Sequence, residues 1–128
     1  MKFALATRYS DYDTKGHVNN AFYLTYFEAA KHMLWRDVWK RHPDPPFVVA
    51  EATVRFLSPA MIGEPLEIDI STGEIRTRSW TWQFRITDAR DGRVVAEGST
   101  VQVYYDYESH RAAPIPDDVR ALLESGRQ

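Results

Sequence analysis

Arg8-Tyr9-Ser10-Asp11-Tyr12-Asp13-Thr14-Lys15-Gly16-His17-Val18-Asn19-Asn20, running straight into Ala21-Phe22-Tyr23-Leu24-Thr25-Tyr26-Phe27, decides how this chain is read. A polar loop rich in turn formers gives way to an aromatic segment with helical spacing. Phe22, Tyr23, Tyr26, Phe27, Ala30, Met33, Leu34 and Val38 recur three and four residues apart. They predict a helix that begins after Asn19 or Asn20, either a good N-cap, and that Pro43 ends near Arg41. Its length is about 30 Å at about 1.5 Å per residue. With Trp35 and Trp39 added, the apolar stripe is wide enough that the helix should be enclosed rather than laid on a surface.

Outward from that helix the hydrophobic period changes to two. Lys2 to Tyr9 predicts a first strand. After the proline cluster, Val48, Ala50, Ala52, Val54 and Phe56 alternate with Val49, Glu51, Thr53, Arg55 and Leu57. Leu66, Ile68 and Ile70 form a further strand face, and Trp80, Trp82, Phe84 and Ile86 another. Asp91-Gly92 marks a turn before the strand from Arg93 to Tyr105. Pro116 to Leu123, opened by Asp117 and Asp118, predicts a short terminal helix. The outline is α+β: one strand, one long helix, then four strands whose short connections make them antiparallel. One face of that curved sheet must cover the aromatic helix. The large faces around Trp80 and Trp82, and the sheet's open edge, call for cover from a second copy.

Composition narrows the function classes. The 128 residues fit one domain, 1–128. A formal net charge of −2 with interleaved signs offers no basic stripe for nucleic acid. Absence of cysteine excludes disulfides, thiolate zinc sites and a cysteine nucleophile. No apolar run approaches a membrane span, and the N-terminus meets charge before a signal-type core forms, so a cytoplasmic location is expected.

The chemistry is concentrated in the opening loop. A helix N-terminus has amides without intrahelical acceptors and carries a partial positive charge. A carboxylate beside it suits acyl chemistry: the amide holds a developing oxyanion while the carboxylate attacks, or activates water to attack, the same carbon. Asp13 is the candidate carboxylate, against the alternative of an aspartate that merely organises the turn. Asp11 ranks below it. The backbone N–H of Asn20 is the candidate oxyanion donor, while Asn19 and Asn20 side chains compete for the capping role. His17 is either an acid/base group or a loop organiser, and Gly16 serves backbone geometry or close approach of a ligand. Glu28 and Glu51 are read as acids on solvated or interface-facing positions that need no function, with Glu51 kept as a reserve carboxylate. Arg76, Arg78, Arg90 and Arg93 are expected at the solvated surface.

Other motifs fail on their own terms. Asp11-x-Asp13-x-x-Gly16 opens like a calcium loop, but its fifth position is Lys15 and its twelfth is Phe22. His17, His32, His42 and His110 lack metal-ligand spacing. No Gly-x-Ser-x-Gly elbow is present.

The loop Asp11-x-Asp13-x-x-Gly16-His17-Val18-Asn19-Asn20 resembles that of hotdog-fold acyl-CoA thioesterases of the 4-hydroxybenzoyl-CoA thioesterase type. So do Tyr26-Phe27-Glu28-Ala29-Ala30, Gly63-Glu64-Pro65-Leu66 and Gly92-Arg93-Val94-Val95-Ala96-Glu97-Gly98. The resemblance implies a long central helix wrapped by a curved antiparallel sheet, and a homodimer or homotetramer with active sites at the protomer interface. It implies hydrolysis of an acyl-CoA or acyl-carrier-protein thioester with no metal or organic cofactor. Asp13 would be nucleophile or general base, Asn20 the oxyanion donor, and His17 an assisting group. Gly16, Val18 and Asn19 would line the substrate site. His17-Val18-Asn19 replaces the aromatic residues of the aryl-thioesterase branch, which argues against an aryl substrate. The same fold also serves acyl-thioester-binding modules without turnover and hydratases or dehydratases.

Overall fold

The computed structural model describes residues 1–42 and 44–127. In chain order its elements are β1 (Lys2–Leu5), a 3-10 turn (Tyr9–Asp11), α1 (Phe22–His32), β2 (Phe47–Phe56), β3 (Leu66–Ile75), β4 (Ser79–Asp88), β5 (Val94–Asp106), β6 (Arg111–Ala112) and α2 (Asp117–Ser125). The strands form one sheet in the order β1-β3-β4-β5-β2, with every neighbouring pair antiparallel and β6 added to the end of β5. This is the α+β hotdog arrangement, a curled antiparallel sheet around a helix.

Alternation builds the inner face. Ile68, Ile70, Trp80, Trp82, Phe84 and Ile86 are all buried against Tyr23, Phe27, Ala30, Leu34 and Trp35 of the helix. Phe27 stacks on Phe84 with ring centroids 4.4 Å apart, and the room for that contact comes from Gly98, the cross-strand partner of Phe84. Thr100 and Gln102 are polar but face the same interior. Their cost is offset locally, because Gln102 Nε2 donates to Thr100 O at 3.1 Å and Thr100 Oγ1 donates to Gln102 Oε1.

Several expectations need correction. Trp80 and Trp82 are 1% and 0% exposed within the single chain. Phe47 packs edge-on against both at about 5.4 and 5.5 Å and Trp39 lies 6.1 Å from Trp82, so these rings need no cover from a second copy. β1 stops at Leu5, because Arg8 and Asp11 fold the following residues into a tight turn. The helix begins at Phe22, after Ala21, with neither asparagine as its N-cap. Instead Asn19 Oδ1 accepts from the Ala21 N–H at 3.0 Å, one position ahead. At its other end α1 continues through a wider π-helical segment, Met33–Val38, in which the Trp39 N–H reaches back to Leu34 O. Lys40, at φ 57°, turns the chain out and lets the Arg41 N–H bond Trp35 O. Pro43, expected to force the stop, lies outside the described residues.

The alternation in β2 is also broken. Val49 pairs with Gln102 but Glu51 pairs with Val101, so Ala50 is a bulge. Phe47 on one side of the bulge and Val54 on the other are the β2 residues packed against the core. β2 is an edge strand, and Val48, Val49 and Phe56 remain exposed.

Arg90, exposed as expected, and Arg93, which is half-buried, join Glu64 and Asp88 in an ion cluster where the β4–β5 turn meets the chain before β3. Asp88 is fully buried there, and the Arg90 guanidinium holds its carboxyl well below the usual carboxylate range. Two short sequence pieces, Gly63-Glu64 and Gly92-Arg93, thereby meet in space.

Candidate active site

The opening loop is a small hairpin. Tyr12 pairs with Val18, the Asp13 N–H donates to His17 O at 2.7 Å, and the Gly16 N–H donates to Asp13 O at 3.1 Å. Gly16 sits at φ +76°, where a side chain would be strained. The second arm docks on residues 60–62: Val18 N–H to Ala60 O at 2.8 Å, Ile62 N–H to Gly16 O at 2.9 Å, and His17 bridged to Met61. Glu64 reinforces that support by accepting the Met61 N–H at 2.7 Å.

Asp13 stands exposed at the hairpin's turn. Its Oδ1 accepts the Lys15 N–H at 2.9 Å and the His17 N–H at 3.1 Å. These bonds, that from His17 foremost, hold the carboxyl below its ordinary value of 3.8. Asp13 is thus both the turn organiser of the plainer reading and a fixed carboxylate whose Oδ2 has no hydrogen bond among the described residues.

The same groove, about 510 Å³, brings together Asp13, His17, Val18, Asn19 and Asn20. Its other wall is Tyr23 of α1 with Phe56 at the end of β2, their rings 5.5 Å apart, continued by Leu57, Ser58 and Pro59. Val18 is 3% exposed and contributes mainly to the core beneath. Gly16 faces a separate depression with Tyr9, Tyr12 and Ile62, and Asp13 forms the ridge between the two. At the groove's helix end the Ala21 N–H is taken by Asn19 Oδ1, and the Phe22 and Tyr23 N–H groups by Asn19 O and Asn20 O. The Asn20 N–H has no acceptor among the described residues. A carbonyl oxygen placed there meets a free donor, with Asp13 on the same groove.

Sequence reasoning missed Tyr23 as a groove residue, and Phe56 to Pro59 altogether. Tyr23 carried only a core signal, and nothing in Phe56-Leu57-Ser58-Pro59 marks chemistry. Their role comes from the tertiary contact between the start of α1 and the end of β2. The other two acids weighed lie elsewhere. Glu28 pairs with Lys31, and Glu51 is exposed on β2. Among the described residues, no three His, Asp or Glu side chains gather as a metal site, and no helix is long and apolar enough to cross a membrane.

A model of the thioesterase-like superfamily matches residues 7–123. Long-chain acyl-CoA thioesterase FadM of Escherichia coli (strain K12) is 26% identical over 131 residues, spanning 97% of this chain and 97% of its own length. Among solved structures, a thioesterase from Thermus thermophilus, complexed with coenzyme A and Zn, is similar with a TM-score of 0.85 and 28% identity. That match covers 97% of this chain and 91% of the other. A predicted thioesterase from Bacillus stearothermophilus is similar with a TM-score of 0.87 and 26% identity, over 99% and 96% of the two chains.

Proposed function

The chain belongs to the thioesterase-like superfamily, and from that premise we propose that it hydrolyses acyl-CoA thioesters to a carboxylic acid and free coenzyme A, with Asp13 as the reacting carboxylate. The observation that carries this reading is the shared groove: Asp13 and the free Asn20 N–H line the same cleft at the entry to α1.

In the proposed reaction the thioester carbonyl oxygen accepts the Asn20 N–H, a bond that strengthens as negative charge develops on that oxygen. Asp13 Oδ1 is tied down by two amides, and the proposed reacting oxygen is Oδ2. It either attacks the carbonyl carbon, expelling the thiolate and leaving an acyl-aspartyl anhydride for water to open, or removes a proton from an attacking water. In both routes the C–S bond breaks and a C–O bond forms. A thiolate leaves readily near neutral pH, so the leaving group needs little help; His17, half-buried and lining the same groove, is the proposed source of a proton. Asn19 fixes the helix entry, Gly16 sets the turn, and Val18 supports the groove floor. The Tyr23–Phe56 wall offers apolar contact to the acyl group.

The proposal includes a homo-oligomer built on β2. This strand offers a ten-residue unpaired edge flanked by exposed Val48, Val49 and Phe56, the kind of edge that natural sheets pair or cover. Size-exclusion chromatography with light scattering at micromolar concentration tests it; an active monomer refutes it. We place the enzyme in the cytoplasm, where coenzyme A thioesters are made and used.

A thiol-release screen across short, long and aromatic acyl-CoAs, with acyl-carrier-protein thioesters alongside, tests the activity. Saturable thiol release supports the reading. Binding without release would make the protein a carrier module, and loss of enoyl absorbance without thiol release would make it a hydratase.

A further inference from the structure

Asp11 is the more deeply placed of the loop's two aspartates and is unused by the proposed reaction. It is 1% exposed, yet its carboxylate is fully engaged: Arg8 N–H at 3.0 Å, Arg8 Nε at 3.1 Å, and the Tyr26 hydroxyl at 2.9 Å. Its backbone carbonyl accepts the Asn19 N–H at 2.8 Å. Burial raises the carboxyl's pKa, but the bonds from Arg8 and Tyr26 outweigh burial and keep it below its ordinary value. Burial and the bond to Asp11 together push the Tyr26 phenol far up, so it remains a donor.

The placement of these bonds is informative. Tyr26 lies on α1, one turn inside the helix entry that presents the Asn20 N–H. Asp11 lies two residues before Asp13, and the Asn19 amide it holds adjoins Asn20. The Tyr26–Asp11 bond therefore ties the loop bearing the carboxylate to the helix whose entry presents the oxyanion donor. We propose that Asp11, through Tyr26, is a positioning residue that sets the separation between the Asp13 carboxylate and the Asn20 amide. This rests on the reading of the groove as a thioesterase site.

A rigid link of this kind differs from general support of the fold. Losing it should misplace two reacting groups by a fraction of an ångström to an ångström, a displacement that alone costs up to about a hundredfold in rate. It should affect kcat, which needs both groups aligned, far more than KM, which depends on the whole groove. Nothing local marks the pair, since Tyr26 reads as one more aromatic on a core face.

The test uses the full chain and a thioester on which the wild-type enzyme is active. Tyr26→Phe removes one hydroxyl and keeps the ring in the core, so the fold should persist by near-ultraviolet circular dichroism. Its kcat should fall about tenfold with KM changed less than about twofold. Adding Tyr26→Phe to Asp13→Asn should cost nothing further, because the group being positioned is already gone. Wild-type kcat in Tyr26→Phe, or a further full loss in the Asp13→Asn background, would overturn the proposal. Amide hydrogen exchange by NMR provides a readout independent of activity. In Tyr26→Phe the Asn19 and His17 amides should exchange several-fold faster while core β4 amides do not change; unchanged exchange at Asn19 and His17 would also overturn it. If wild-type protein releases no thiol from any acyl-CoA, the functional reading fails, and the exchange data alone decide whether Asp11 and Tyr26 order the loop.

Discussion

Gly98→Ala should be among the most damaging single-atom additions to this protein. An ideal Cβ at Gly98 falls 2.1 Å from Thr53 O, 2.9 Å from Phe27 Cε2 and 3.1 Å from Thr53 C. The phenyl ring of Phe27 is held against Phe84, and the Thr53 carbonyl belongs to the β2 backbone, so neither neighbour can move alone. Inserting one methyl group into a packed interior costs about 1–3 kcal/mol. Displacing a paired strand puts this case at the top of that range or above it, about 3 kcal/mol. Replacing a strand glycine regains only about 0.5–1 kcal/mol of backbone entropy. At this chain length each 1 kcal/mol moves Tm by roughly 3–6 °C, so a net loss of about 2–2.5 kcal/mol predicts a fall of roughly 6–15 °C. Gly73→Ala is the matched control, since its Cβ meets only Gln83 Nε2 at 3.4 Å and Gln83 Cδ and Thr81 Cβ at 3.5 Å. It should leave Tm within a few degrees of wild type or raise it. Urea and thermal unfolding at equal protein concentration measure both. Equal effects from the two substitutions, or an unchanged Tm in Gly98→Ala, would refute the close-packing argument around Phe27.

Three further outcomes follow from the same geometry. Because hydrogen bonds from His17 and Lys15 hold Asp13 below 3.8, its ionised form persists as pH falls; kcat/KM should show no acid limb down to the ordinary carboxylate range, and a half-loss well above that range would contradict Asp13 as the titrating group. Asp11 has a folded pKa below its unfolded value of 3.8, so its stabilisation is complete above 3.8 and is lost as pH falls through the lower folded value; acid unfolding of Asp11→Asn should therefore show a shallower dependence in that window, as read by circular dichroism. Lys31 is 1% exposed, and burial lowers its pKa while its partner Glu28 is half exposed; Lys31→Met should be neutral or more stable by about 1 kcal/mol, since no charge is left stranded. A clear loss in urea titration would contradict that.

The fold was legible where side-chain period alone decides structure. Trp80, Trp82, Phe84 and Ile86 lie on one buried face because strands alternate, and Tyr23, Phe27, Ala30 and Leu34 lie on another because helices repeat every third or fourth residue. Features that depend on particular pairings were hidden. The Ala50 bulge reverses the alternation of β2, and Lys31 is polar in sequence but buried under Phe47, with Nζ 5.8 Å from its ring centroid. Lys40 ends the helix through a left-handed turn that no local residue type announces. At the site, the placing of Asp13 and Asn20 on one groove was readable because carboxylate and helix entry adjoin in sequence. The Tyr23–Phe56 wall and the Tyr26–Asp11 bond were not, since each joins segments brought together only by the fold.

The most direct test of the account is the kcat of Asp13→Asn on a verified acyl-CoA substrate, followed by thiol release. Asparagine keeps the shape and can still accept the Lys15 and His17 amides through its carbonyl oxygen, but it can neither serve as the base nor form the anhydride. Asp13→Asn should fold and bind acyl-CoA with kcat lowered about a hundredfold or more. A kcat near that of the wild type would contradict the assignment of Asp13 and with it the proposed mechanism.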